Sequence, residues 1–184
     1  MAGIQRTPEI QGLTVVLVGS FNPRIFDPWW FVKQGLLQDE EAKNAEVTVM
    51  TSALSTFSIG WLRLNAEAER VQVSTTQPQY YDPLRDLLLG TFRILRHTPL
   101  TAMGLHWMAH YRSENEEEWH KIGNTLAPKE IWNKILTKPG LRTLVIEESR
   151  KKEPTELTRV AVEPSLKIQP GVFFEVHDLY ESHL

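Results

Sequence analysis

The chain has 184 residues, 41% of them hydrophobic and 23% charged, with a formal net charge of −3. That length suits one domain whose core needs neither disulfides nor metal, and the charge offers no footprint for nucleic acid or an acidic membrane. The absence of cysteine excludes disulfides, thiolate metal sites and cysteine nucleophiles, and fits a cytoplasmic protein.

Met1 to Gly12 is a polar lead-in without the apolar core of a signal peptide, and no later run reaches the ~18 apolar residues of a membrane span. Leu13 to Val18, bounded by Gly12 and Gly19, is a short β-branched strand. Asp27-Pro28 opens a helix running to about Leu37, with Trp29, Val32 and Leu36 on one side and Gly35 marking its weak end. Gln38 to Asn44 is charged and solvated. Three strands are predicted next, over Glu46–Thr51, Phe57–Leu64 and Arg70–Ser74, the middle one with Phe57, Ile59 and Trp61 on one face.

Asp82 to Arg96 has the most regular pattern in the chain and is expected to be the central, buried helix. Asp82 is its cap and Pro83 its first residue, and Leu84, Leu87, Leu88, Thr91, Phe92 and Leu95 form its apolar stripe. Arg93, Arg96 and His97 suit the negative end of the helix dipole, and Pro99 stops it. Thr101 to Tyr111 is a long strand with Leu105, Trp107, Ala109 and Tyr111 on one face. Asn115 to Glu118 opens another helix as a capping box, with Trp119, Ile122 and Leu126 as its stripe. A short helix from Pro128 carries Ile131, Trp132, Ile135 and Leu136. Leu141–Glu147, Leu157–Glu163 and Val172–Val176 close the chain as strands, with Arg150 to Pro154 as an exposed hairpin loop.

Strands that follow one another without helices between them pair antiparallel, so the expected class is α+β, a mainly antiparallel sheet with helices packed on it. One domain spans residues 1–184. Residues 13–97 and 101–178 each contain a strand, a helix and three strands, a pseudo-repeat of architecture with negligible residue identity.

Gly19-Ser20-Phe21-Asn22-Pro23 follows a strand and resembles the opening of the nucleotidylyltransferase superfamily, where G-[ST]-F-[DN]-P leads into H-x-G-H. In that family the histidines and a helix N-terminus bind phosphates. Here Arg24 to Pro28 supplies neither histidine, Asp27 stands at the glycine position, and the alternating strand–helix pattern of a Rossmann-like sheet is absent. A turn explains the same five residues: Asn22-Pro23 sets a bend and Phe21 packs.

His106 and His110 stand four apart. On a helix that spacing chelates metal, but on a strand the two side chains are about 13 Å apart, so no metal is expected there. No G-x-S-x-G elbow, Walker loop or G-x-G-x-x-G occurs, and no catalytic residue or cofactor is assigned. Arg63, Arg93, Arg96, His106 and His110 are the candidates for an anion or small-ligand site. Trp61, Trp107, Trp119 and Trp132 fall on apolar faces and are expected in the core. Trp29-Trp30-Phe31 differs, because three consecutive aromatics cannot share one helix stripe; Trp30 is expected to face out and the triplet to form an interface. The functional expectation is a non-catalytic protein acting through protein contacts, as a homo-oligomer or with another protein and without nucleic acid or membrane. The alternative is a small-ligand or anion-binding domain, with an activity resting on its arginines and histidines.

Overall fold

A computed structural model describes residues 6–150 and 155–181. Alternating apolar residues pair into nine strands: β1 (Ile10–Gly19), β2 (Glu46–Met50), β3 (Leu54–Ile59), β4 (Leu62–Glu67), β5 (Arg70–Thr75), β6 (Leu100–Arg112), β7 (Leu144–Arg150), β8 (Thr155–Pro164) and β9 (Gly171–Glu181). They form one sheet in the order β2-β3-β4-β5-β1-β6-β9-β8-β7, every neighbouring pair antiparallel. Four α-helices, α1 (Pro28–Lys33), α2 (Asp39–Lys43), α3 (Tyr81–Ile94) and α4 (Glu116–Leu126), complete an α+β fold among the described residues.

The core lies on one face of the N-terminal five strands. Direct antiparallel partners share a face, so the register Phe57↔Leu64, Leu64↔Val73, Val73↔Val15 makes one apolar row across β3, β4, β5 and β1. These four side chains are 0–5% exposed and pack beneath Phe31 of α1 and Leu84 and Leu87 of α3. Each such residue stabilises the fold by about 1.5–3 kcal/mol through its removal from water. The other face of the sheet, the open face, carries none of these helices.

Local chemistry sets the entry of α1. Asp27 accepts from the Trp29 and Trp30 backbone N–H groups at 2.8 and 3.2 Å. Phe26 before the cap and Phe31 four residues into the helix meet at 6.4 Å between ring centroids, a hydrophobic staple. That phase turns Phe31 inward (1% exposed), leaves Trp30 half-buried and turns Trp29 out (49% exposed), so the sequence expectation of an outward Trp30 is reversed. The helix is shorter than expected because Gly35 adopts φ +70°, a left-handed conformation that closes the last turn. Gln38 to Asn44, expected as solvated chain, contains α2, whose Ala42 is buried.

The predicted strand Phe57–Leu64 is two strands joined by the two-residue loop Gly60-Trp61. The apolar parity breaks there: Phe57 and Ile59 are followed by Leu62 and Leu64, and only a hairpin puts all four on the same face. The N-terminal half therefore has four strands after its helices, and the expected strand-helix-three-strand unit does not describe it. In both halves the first strand lies beside the last strand of the following meander, β1 beside β5 and β6 beside β9.

Helix α3 begins at Tyr81 after a 3₁₀ turn over Pro78–Tyr80, and Asp82 pairs with Arg85 at 2.8 Å instead of capping. Leu84, Leu87 and Thr91 are its buried residues; Leu88 and Phe92 are half-buried at the edge of the core. Gly19 ends β1 where the chain passes the 97–100 turn. A Cβ there would sit 2.1 Å from the Pro99 carbonyl oxygen, and the Ser20 N–H donates to that oxygen at 3.1 Å. Asn22 caps a 3₁₀ turn over Pro23–Ile25, and Phe21 packs edge-on against Phe26 and Phe92. Close backbone approach and a bend account for this stretch.

Candidate functional site

On the open face, one register position repeats across the entire sheet. Glu46, Ser58, Arg63, Ser74, Thr14, His106, His177, Arg159 and Glu147 are successive direct partners, one from each strand. Side chains so paired stand about 4.5–5.5 Å apart at Cβ, so nine polar groups make a continuous band. At its centre the His106 and His177 rings stack at 3.8 Å with an interplanar angle of 17°. Glu175 approaches His106 Nδ1 at 3.5 Å, and Arg159 donates to Glu147 at 2.6 Å. Burial and then the neighbouring His106 push the His177 pKa below its ordinary value.

At the other end of the band, the side chains of Glu46 and Arg63 make no hydrogen bond or ion pair with any described residue. They line a polar concavity of about 350 Å³ together with Ser58, Ser74, Trp61 and Gln77. Gln77 donates to the Gly60 carbonyl at 3.0 Å, and Trp61 stacks on Tyr80 at 5.1 Å while its indole N–H donates to Glu41 at 2.8 Å. The concavity therefore has fixed walls.

The helix face of the C-terminal half is different again. Trp107, Val176, Val160 and Ile146 are direct partners across β6, β9, β8 and β7. This apolar row is only half covered, with Trp107 36% and Ile146 62% exposed, against 0–5% for the equivalent N-terminal row. Helix α4 lies over the neighbouring positions and leaves a groove of about 680 Å³ floored by Trp107, Phe174 and Val176 and walled by Ile122 and Glu118. Arg6 pairs with Glu118 and Glu114 at the start of α4, and Glu9 pairs with Arg112 at the end of β6 at 2.6 Å. After α4, the chain from Glu130 to Thr137 contains only a 3₁₀ turn, and its apolar residues point to solvent: Ile131 and Ile135 are each 72% exposed, Trp132 46% and Leu136 49%.

Of the residues singled out from sequence, Arg63 and His106 fall in the same polar band, separated by Ser74 and Thr14. His110 shares their face but is buried, its Nδ1 2.8 Å from Ser165 Oγ and its ring 4.7 Å from Phe173; burial lowers its pKa, with a smaller effect of Lys167. Arg93 and Arg96 lie at the C-terminal end of α3, on the helix side, away from the other three. The five do not form one site. Among Trp29, Trp30 and Phe31, only Trp29 presents an exposed ring. None of Trp61, Trp107, Trp119 and Trp132 is fully buried: Trp61 stands in the Gly60-Trp61 loop at the rim of the N-terminal core, and the other three lie in the C-terminal half, whose helix-side face is only half covered. Among the described residues no three His, Asp or Glu side chains converge on a metal position, and no helix is long and apolar enough to cross a membrane.

Sequence reasoning missed Glu46, Ser58 and Ser74, whose only signal is register, and the exposed segment from Ile131 to Leu136, whose helical spacing suggested burial. No protein-family model matches the chain, and no curated protein matches it.

Proposed function

We propose that this protein acts through protein contacts and associates with itself, its half-covered C-terminal sheet face receiving the apolar segment Ile131 to Leu136 of a second copy. The observation that carries this reading is the exposed row Trp107, Val176, Val160 and Ile146 on the same chain as an exposed apolar segment of matching chemistry. A surface that holds both a groove and the projection to fill it is self-complementary, the condition for a twofold interface. Apolar patches of this kind on a folded surface mark contact sites, and buried Trp anchors such as Trp107 and Trp132 dominate their energetics.

Light scattering on the purified chain tests it. The expected mass is twice the 21.2 kDa of the monomer, returning to the monomer value in Ile135→Asp with an unchanged circular dichroism spectrum. Ile135 is 72% exposed, so the substitution does not disturb the fold. A monomer at all concentrations, or a dimer indifferent to Ile135→Asp, refutes the reading. A small apolar ligand is the competing occupant of the 680 Å³ groove; it would bind without changing the mass.

A further inference from the structure

The open face of the N-terminal half holds a second place where chemistry is assembled and left unused. Glu46, Ser58, Arg63 and Ser74 are successive direct partners on β2, β3, β4 and β5. Adjacent strands lie about 4.8 Å apart, so the backbones of Glu46 and Arg63 are separated by about 10 Å with the small Ser58 between them. The two charged side chains do not close an ion pair across that gap, and neither pairs with another described residue. Arg159 and Glu147, adjacent in the same band, do pair directly, at 2.6 Å.

We propose that this concavity of about 350 Å³ binds a small zwitterion, a free α-amino acid, with its carboxylate on Arg63 and its ammonium on Glu46. The guanidinium is a planar fork of N–H donors that matches a carboxylate, and the Ser58 and Ser74 hydroxyls flank it as further donors. Glu46 is acceptor-only and selects a cationic group at the other end. A dianion such as inorganic phosphate meets Arg63 but is repelled by Glu46, so net-neutral ligands are favoured. Trp61 and Gln77 form the wall beside the row. This site lies on the opposite face of the sheet from the groove at Trp107, and does not depend on self-association.

Calorimetric titration of the full chain with glycine, L-serine, L-glutamine, acetate and inorganic phosphate tests the assignment. The expected result is one site per chain for at least one amino acid, weakened about tenfold or more by Arg63→Ala and by Glu46→Gln. Arg63→Lys, which keeps the charge and loses the fork, gives an intermediate loss. Acetate binds more weakly than the amino acids, and Glu46→Gln strengthens its binding or leaves it unweakened, because that change removes a repelling carboxylate and no partner. Arg93→Ala, at the far end of α3, leaves all affinities unchanged. Both site residues are exposed, so the variants fold, as an unchanged denaturation midpoint verifies. No heat from any amino acid up to about 10 mM, where binding energy falls below roughly 3 kcal/mol, overturns the proposal. So does a preference for phosphate, which would make this an anion site, or an amino-acid affinity untouched by both variants.

Discussion

Phe31→Ala and Trp29→Ala, two residues apart on one short helix, are expected to differ greatly in cost. Phe31 is 1% exposed and meets Phe26 at 6.4 Å, Trp30 at 5.2 Å and Phe57 at 6.1 Å between ring centroids. Its truncation removes the staple partner of Phe26 and opens a cavity against β3, and such changes cost about 3–5 kcal/mol. For a chain of this size that lowers the melting temperature by roughly 6–20 °C. Trp29 is 49% exposed, and its truncation costs less than about 0.5 kcal/mol. Urea denaturation followed by far-ultraviolet circular dichroism measures both with an unchanged native baseline. A loss below about 1 kcal/mol for Phe31→Ala, or equal losses for the two variants, would refute the inward phase of α1 set by Asp27.

Along α3, Leu84→Ala is expected to destabilise by about 2–5 kcal/mol, because Leu84 is 0% exposed. Leu88→Ala, at the half-buried rim, costs clearly less; the reverse ranking in denaturation would contradict the packing of this helix. Stability also depends on pH through His110 and His177, whose pKa values are both held below normal in the folded chain. The unfolded chain therefore binds more protons near their ordinary pKa, so the contribution is fully present above about pH 6.5 and is lost as pH falls through the lowered values. Each histidine adds a slope of at most about 1.4 kcal/mol per pH unit. His177→Gln and His110→Gln should each flatten the acid side of the profile, and a profile unchanged in both would show that carboxylates alone govern it.

Much of the fold is legible in the chain because its signals are local. The β-branched run Leu13 to Val18, the alternation Leu105, Trp107, Ala109, Tyr111 and the Asn115 cap each specify an element from a few neighbouring residues, and each element is present. The Gly60-Trp61 hairpin was equally local, but its signal was a break in parity inside an apolar run. Asp82 carries the signature of a cap, yet Arg85 competes for its carboxylate and the preceding 3₁₀ turn starts the helix two residues earlier, at Tyr81. What lies beyond local reading is register and cover. Glu46, Ser58, Arg63 and Ser74 are scattered over 29 positions of sequence and become neighbours only through three strand pairings. Trp107 and Trp132 have the spacing of core residues, and whether an element covers them is a property of the whole chain. Cover also decides the triplet Trp29-Trp30-Phe31, of which only Trp29 is exposed, while the larger stretch of exposed apolar residues, Ile131 to Leu136, lies in the C-terminal half.

The central claim, that the segment from Ile131 to Leu136 of one copy seats on the sheet face of another, is tested most directly by site-specific crosslinking. The chain has no cysteine, so single cysteines report without background. Ile135→Cys and Ile146→Cys chains, mixed and mildly oxidised, should give a disulfide-linked heterodimer in high yield. Ile135→Cys mixed with Leu89→Cys, on the exposed side of α3 in the other half, should give little. Equal yields in the two mixtures, or no linked dimer in either, would contradict the account.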